Sequence, residues 1–180
     1  MTAKDTVLIA VFAALTAALG LLPPLPVPLI PVPVTAQTFG LMLAGCLIGA
    51  RRAALSMLLL LVLVAIGLPL LSGGRGGLGV FVGPSAGFLF GWPLAALAIG
   101  FLTSHFRKSW VGLFAANLLG GIVVLYCCGI PVIAVVSEVP ISTAALGALA
   151  FIPGDIVKAA LAAFAASAVR RAYPESKQTL

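Results

Sequence analysis

Residues 53–79 read AALSMLLLLVLVAIGLPLLSGGRGGLG. Ala53–Leu70 carries no charge, and its only hydroxyl is Ser56. A helix of about 17–25 such residues crosses a hydrocarbon core near 30 Å thick. The next stretch has another character. Ser72–Gly79, SGGRGGLG, holds five glycines around one cation, Arg75. An apolar run ending in a charged glycine loop reads as a spanning helix that emerges at an interface, and the rest of the chain repeats this grammar.

The embedded GRGGLG fits the dinucleotide pattern G-x-G-x-x-G. That pattern needs a preceding strand, a helix opening at the glycines and an acid about 20 residues on. Here two apolar runs flank the loop, and the next acid is Glu138. The phosphate-cradling G-x-x-x-x-G-K-[ST] run is also missing, so nucleotide chemistry is not expected of this chain.

Composition points the same way. The 180 residues are 62% hydrophobic and 8% charged, with a mean hydropathy of +1.26. Soluble domains carry roughly 25% charged residues, so lipid is the expected solvent. Six spanning helices are expected in one unit over 1–180, at about 5–22, 34–50, 53–70, 84–104, 110–128 and 154–171. Helices are expected because each satisfies its own backbone groups in lipid. The fold class is therefore an all-α membrane protein. Residues 129–153, interrupted by Pro131, Glu138 and Pro140, read as a loop followed by a short outer helix over Ser142–Phe151. The first apolar run, Val7–Leu22, leads into prolines rather than a small-residue cleavage site, which argues against a secretory signal.

The basic residues set an orientation. Lys4, Arg51, Arg52, Arg107, Lys108, Arg170, Arg171 and Lys177 fall to one face of the expected bundle. Arg75 alone falls to the other, and Lys158 lies inside the last helix. The positive-inside rule then puts both termini in the cytoplasm. The net charge of +6 does not imply nucleic acid, because the cations form no single patch and no aromatics interleave with them. The three cysteines make no disulfide framework. His105 is the single histidine; neither a metal set nor a serine–histidine–acid set is expected, so no catalytic residues are assigned.

The outer side is rich in proline and glycine: PPLPVPLIPVPVTAQT before the second helix, the Arg75 loop, and FIPGD at the start of the last. These loops are too apolar for free solvation. They are expected to fold over the bundle and cap a substrate pocket. Asp155 and Lys158 share one helix face there. Asn117 is an amide inside the fifth helix, and Thr35, Gln37 and Thr38 open the second. Ionisable groups within spanning helices are costly, so they face the protein interior and have a function. Two cations and one anion leave one positive charge. Such a pocket suits a mono-anion with N–H donors for Asp155, its carboxylate held by Arg75 and its apolar body by Phe81 and Phe88. On the first helix, Ala10, Ala13, Ala14, Ala17 and Ala18 form a stripe of small side chains. It serves packing within the bundle or docking of another membrane protein.

Three motifs, PVPVTAQTFGLMLAGCLIGARRAALS, GLPLLSGGRGGLGVFVGPSAGFLFG and FIPGDIVKA, strongly resemble the BioY family, the biotin-specific S components of energy-coupling-factor transporters. The resemblance runs in order along almost the whole chain. It implies a multi-pass protein of the prokaryotic cell membrane that captures biotin from outside. It also implies a transmembrane coupling protein and two ABC-type ATPases as partners. Biotin is the transported substrate, and no cofactor is implied. Carried over by motif, the substrate-binding residues are Thr35, Gln37, Arg75, Phe88, Asn117, Asp155 and Lys158, with Ala10 and Ala14 as the docking pair. Phe88 stands where tyrosine is expected in many relatives. The expectation is a transporter subunit and not an enzyme. An S component for another vitamin and an intramembrane enzyme using Asp155 and Glu138 are the alternatives. Whether the chain transports alone, as a homo-oligomer, or only with the ATPase module stays open at this level.

Overall fold

The structure, a computed structural model, describes residues 1–28, 30–106 and 109–172. Every regular element among them is helical. Helix α1 (Ala3–Leu19) opens with a capping box: Asp5 N–H donates to Thr2 Oγ1 at 3.2 Å, and Thr2 N–H donates to Asp5 Oδ2 at 2.7 Å. The prolines after it cannot donate to a helix ladder. Instead Leu25 and Val34 exchange backbone hydrogen bonds of 3.0 and 2.8 Å, folding the segment into a narrow reversal. Next come α2 (Gln37–Ile48), α3 (Ala50–Ala65) and α4 (Ala86–His105). Helix α5 (Trp110–Leu118) continues through a π-helical turn, Leu119–Val124, into α6 (Leu125–Val136). Helix α7 (Ile141–Ala148) passes through a 3₁₀ turn, Leu149–Phe151, into α8 (Ile152–Ala172).

Three elements differ from the sequence reading. The second helix was expected over 34–50, but α2 has only 12 residues, about 18 Å at 1.5 Å per residue. The chain around Pro31 and Pro33 is not helical, and it bends at Ala36 before the helix begins at Gln37. The third was expected to reach residue 70, but α3 ends at Ala65, ahead of Gly67 and Pro69. The fifth was expected to stop at 128. Helix continues to Val136 through Pro131, so the expected loop at 129 begins eight residues later. A proline within a helix removes one N–H bond, here the one to the Cys127 carbonyl.

Three continuous stretches, Ala86–His105, Trp110–Val136 and Ile141–Ala172, are long and apolar enough to cross a membrane. Between the helices lie Leu41, Met42, Met57, Leu60 and Ile99, with Ala95, Ala96, Ala159, Ala162 and Ala163 letting α4 and α8 approach their neighbours. Large apolar side chains also cover the outside: Val62, Phe90, Leu94, Phe101, Leu161 and Phe164 are exposed. An apolar exterior around an alanine-rich interior is the arrangement of a membrane protein, whose helices associate by close packing.

The two ends of the bundle differ in charge. At one, Arg52 Nε lies 2.6 Å from Asp5 Oδ1, joining the starts of α3 and α1. Arg170 near the end of α8 donates to the Cys46 carbonyl near the end of α2. Lys4, Arg51 and Arg171 are exposed at this end; Arg107, Lys108 and Lys177 lie outside the described residues. The opposite end gathers the N-termini of α2, α4 and α8 beneath the proline and glycine loops.

Candidate substrate-binding site

A cavity opens among those three N-termini. Counting the open solvent at its mouth, it holds about 560 Å³ of non-protein space. The proline loop supplies Val32–Thr35, and α2 supplies Gln37 and Thr38. Leu71 and Arg75 come from the glycine loop, and Ser85, Phe88, Leu89 and Trp92 from α4 and its cap. Helix α6 adds Leu125 and Tyr126, and the last helical stretch adds Phe151, Asp155 and Lys158. Helix N-termini carry partial positive charge, so the starts of α2 and α4 at one cavity favour an anion.

Arg75 owes its position to a tight reversal. Leu71 N–H donates to the Arg75 carbonyl at 3.0 Å, and Arg75 N–H to the Leu71 carbonyl at 3.2 Å. Closing so short a loop places Gly73 at φ 79° and Gly74 at φ 70°, where a Cβ is strained. This is why glycines surround the arginine. Its Nε donates to the Ser72 carbonyl at 3.2 Å and its Nη1 to Ser85 Oγ at 3.3 Å. Guanidinium has five N–H donors, so three remain. Among the described residues, no carboxylate pairs with Arg75.

Asp155 and Lys158 are engaged differently. Lys158 Nζ sits 2.6 Å from Asp155 Oδ1 and donates to the Thr35 carbonyl at 2.9 Å and to Thr38 Oγ1 at 2.6 Å. Those three partners use its three N–H groups. Asp155 Oδ2 accepts the Tyr126 hydroxyl at 2.6 Å. The side chains of Asp155 and Lys158 are only 4% and 14% exposed; burial at that level is tolerated because each charge is paired and hydrogen-bonded. The pair is neutral, which leaves Arg75 as the cavity's uncompensated charge. Asp155 Oδ1 also accepts from Thr38 Oγ1 at 3.5 Å, while Oδ2 keeps a lone pair for a further donor. Below them Phe88, Tyr126 and Phe151 meet edge to face, with ring centroids 5.9–6.3 Å apart. Gly129 makes the room: a Cβ there would lie 2.3 Å from the Phe88 ring.

These are the features of a receptor for a small acid with an apolar body. Comparison with known proteins agrees in kind. The BioY family model matches residues 1–175.

The chain belongs to the BioY family.

It is 49% identical to the biotin transporter BioY of Rhizobium etli, over 97% of both chains. It is 48% identical to the probable biotin transporter BioY of Bacillus subtilis, over 93% of this chain and 91% of that one. Among solved structures, it matches the S component for biotin from an ECF-type ABC transporter with a TM-score of 0.90. The identity there is 34%, over 95% of each chain.

Of the residues singled out in this BioY sequence, the fold brings Thr35, Gln37, Arg75, Phe88, Asp155 and Lys158 to the cavity. Thr35 contributes its carbonyl to Lys158. Gln37 reaches the wall with its amide fully committed to protein partners. Asn117 does not line the cavity. It is fully buried, donating to the Ala159 carbonyl at 3.1 Å and facing Cys46 Sγ at 3.3 Å, so it ties α5 to α8 and α2. Glu138 is exposed past the end of α6, away from the lining, so it makes no carboxylate pair with Asp155. The alanine stripe divides: Ala13 is buried, while Ala10, Ala14 and Ala18 face outward beside Val7 and Val11. Among the described residues no three His, Cys, Asp or Glu side chains gather. Sequence reasoning did not assign Tyr126, Ser85, Trp92 or Phe151 to the site. Tyr126 and Trp92 carried a signal, as polar-tipped rings in apolar runs.

Proposed function

We propose that this BioY-family chain is the biotin-capturing subunit of an uptake transporter. The observation that carries the reading is the cavity's charge: a neutral Asp155–Lys158 pair beside one open guanidinium. Biotin has a carboxylate, an apolar valeryl chain and a ureido ring with two N–H groups. Arg75 takes the carboxylate through paired hydrogen bonds. Asp155 accepts from the ureido group, with Lys158 and Tyr126 holding the carboxylate in place. Phe88, Trp92 and Phe151 cover the apolar body. Asn117 acts as an interhelical tie.

In this reading six helices span the cell membrane, and the cationic end with both termini is cytoplasmic. The cavity then opens outward, under loops that close over the vitamin. Ala10 and Ala14 give α1 a flat outer face for a coupling protein driven by two ABC-type ATPases. Labelled-biotin uptake in cells lacking every partner gene separates that arrangement from transport by this chain alone or as a homo-oligomer.

Equilibrium binding of labelled biotin to protein purified in lipid nanodiscs tests the reading. The expected result is saturable binding of one biotin per chain, with cationic thiamine failing to compete. Folded protein without saturable binding, or equal competition by thiamine, overturns it.

A further inference from the structure

Gln37 is the first residue of α2, and it is 1% exposed. Its Nε2 donates to the Thr16 carbonyl on α1 and to the Leu70 carbonyl in the glycine loop, both at 3.1 Å. Its Oε1 accepts the Ser72 backbone N–H at 3.0 Å and faces the Ser72 hydroxyl at 3.4 Å. A primary amide has two donors and two acceptor sites, and these four contacts fill them. No donor or acceptor is left for a ligand, although the residue lies in the cavity wall.

The partners share a purpose. Leu70 and Ser72 begin the reversal that carries Arg75, and the Ser72 carbonyl accepts from Arg75 Nε at 3.2 Å. Ser72 thus links the amide of Gln37 to the guanidinium. The reversal is also held by the Leu71–Arg75 bonds within itself, by Gly77 N–H donating to the Val64 carbonyl of α3 at 2.8 Å, and by Arg75 Nη1 donating to Ser85 Oγ at the start of α4. Gln37 adds the tie that joins the stretch before Arg75 to α1 and α2 at once.

We propose that Gln37 is a positioning residue: it holds the glycine loop so that the open side of Arg75 faces the cavity. This rests on the reading that Arg75 receives the acid group of the substrate.

The test compares two ligands, biotin and its neutral primary amide, which differ only at that acid group. Affinities are measured for wild type, Gln37→Ala and Gln37→Glu, with thermal unfolding in parallel. Gln37→Glu keeps the size and the oxygen that accepts from Ser72 but loses both N–H bonds, so it carries the test if Gln37→Ala does not fold. The expected result is that each variant loses about tenfold or more of the preference for biotin over the amide, the loss expected when a charged hydrogen bond is broken. Affinity for the neutral amide changes far less. Equal weakening of both ligands means a purely structural part and overturns the proposal, as does an unchanged preference. If wild type itself shows no preference, the Arg75 reading fails first and this inference falls with it; that pattern is distinct, because it appears before any variant is made.

Discussion

The hydroxyl of Tyr126 on α6 lies 2.6 Å from Oδ2 of Asp155 on α8. The other carboxylate oxygen is held by Lys158 at the same distance. The acid is thereby fixed from two sides, and Asp155 lines the cavity. Tyr126→Phe keeps the ring in its aromatic cluster and removes only the hydroxyl. A hydrogen bond to a charged group contributes about 1.5–3 kcal/mol, so biotin affinity falls roughly tenfold or more. Titration calorimetry checks this, and unaltered affinity would remove Tyr126 from the site.

The ion pair makes a sharper prediction, because its partners are unequal when separated. Lys158→Met strands Asp155, whose side chain is 4% exposed. Breaking a buried pair costs about 3–5 kcal/mol, whereas replacing both charges together is often nearly neutral. The double variant Asp155→Asn/Lys158→Met should therefore unfold at a higher temperature than Lys158→Met alone. Both should bind biotin weakly. A double variant less stable than Lys158→Met alone contradicts the assigned pairing.

At the glycine loop, strain and position can be separated. Gly74 has φ 70°, where an L side chain costs about 1–2 kcal/mol. Gly79 has no such constraint, and a Cβ there meets nothing within 4 Å. Gly74→Val should weaken biotin binding by displacing Arg75, while Gly79→Ala should bind as wild type. Equal effects at the two positions would mean that the loop matters only for its flexibility.

Asn117 supplies the contrasting case. Its hydrogen bonds join α5 to α8 and α2 away from the cavity. Such interhelical bonds contribute about 0.6 kcal/mol on average, up to about 1.7. Asn117→Ala should lower the unfolding temperature and leave biotin affinity within about twofold, since separated sites act independently. A large loss of affinity with stability intact would return Asn117 to the ligand.

Much of this was legible in the chain, and the reasons differ by residue. Hydropathy locates helices because lipid admits little else, and Arg75, Asp155 and Lys158 stand out because charge is rare in such a chain. Helix limits were less legible. Pro33 shortens α2 whereas Pro131 leaves α6 intact to Val136; proline chemistry is the same in both, and the surrounding packing decides. The separate fates of Gln37 and Asn117 were hidden for another reason. Their partners are mostly backbone carbonyls of other helices and loops, and a carbonyl's position depends on the tertiary fold rather than on residue type.

The central claim is that the open guanidinium of Arg75 reads the acid end of the vitamin. The most direct measurement is a two-by-two comparison: biotin and its uncharged amide, each titrated into wild type and Arg75→Ala. Wild type should favour the acid by about tenfold or more, and the variant should bind the two equally, through lost affinity for the acid alone. A variant that keeps the preference, or that weakens for both ligands alike, contradicts the account.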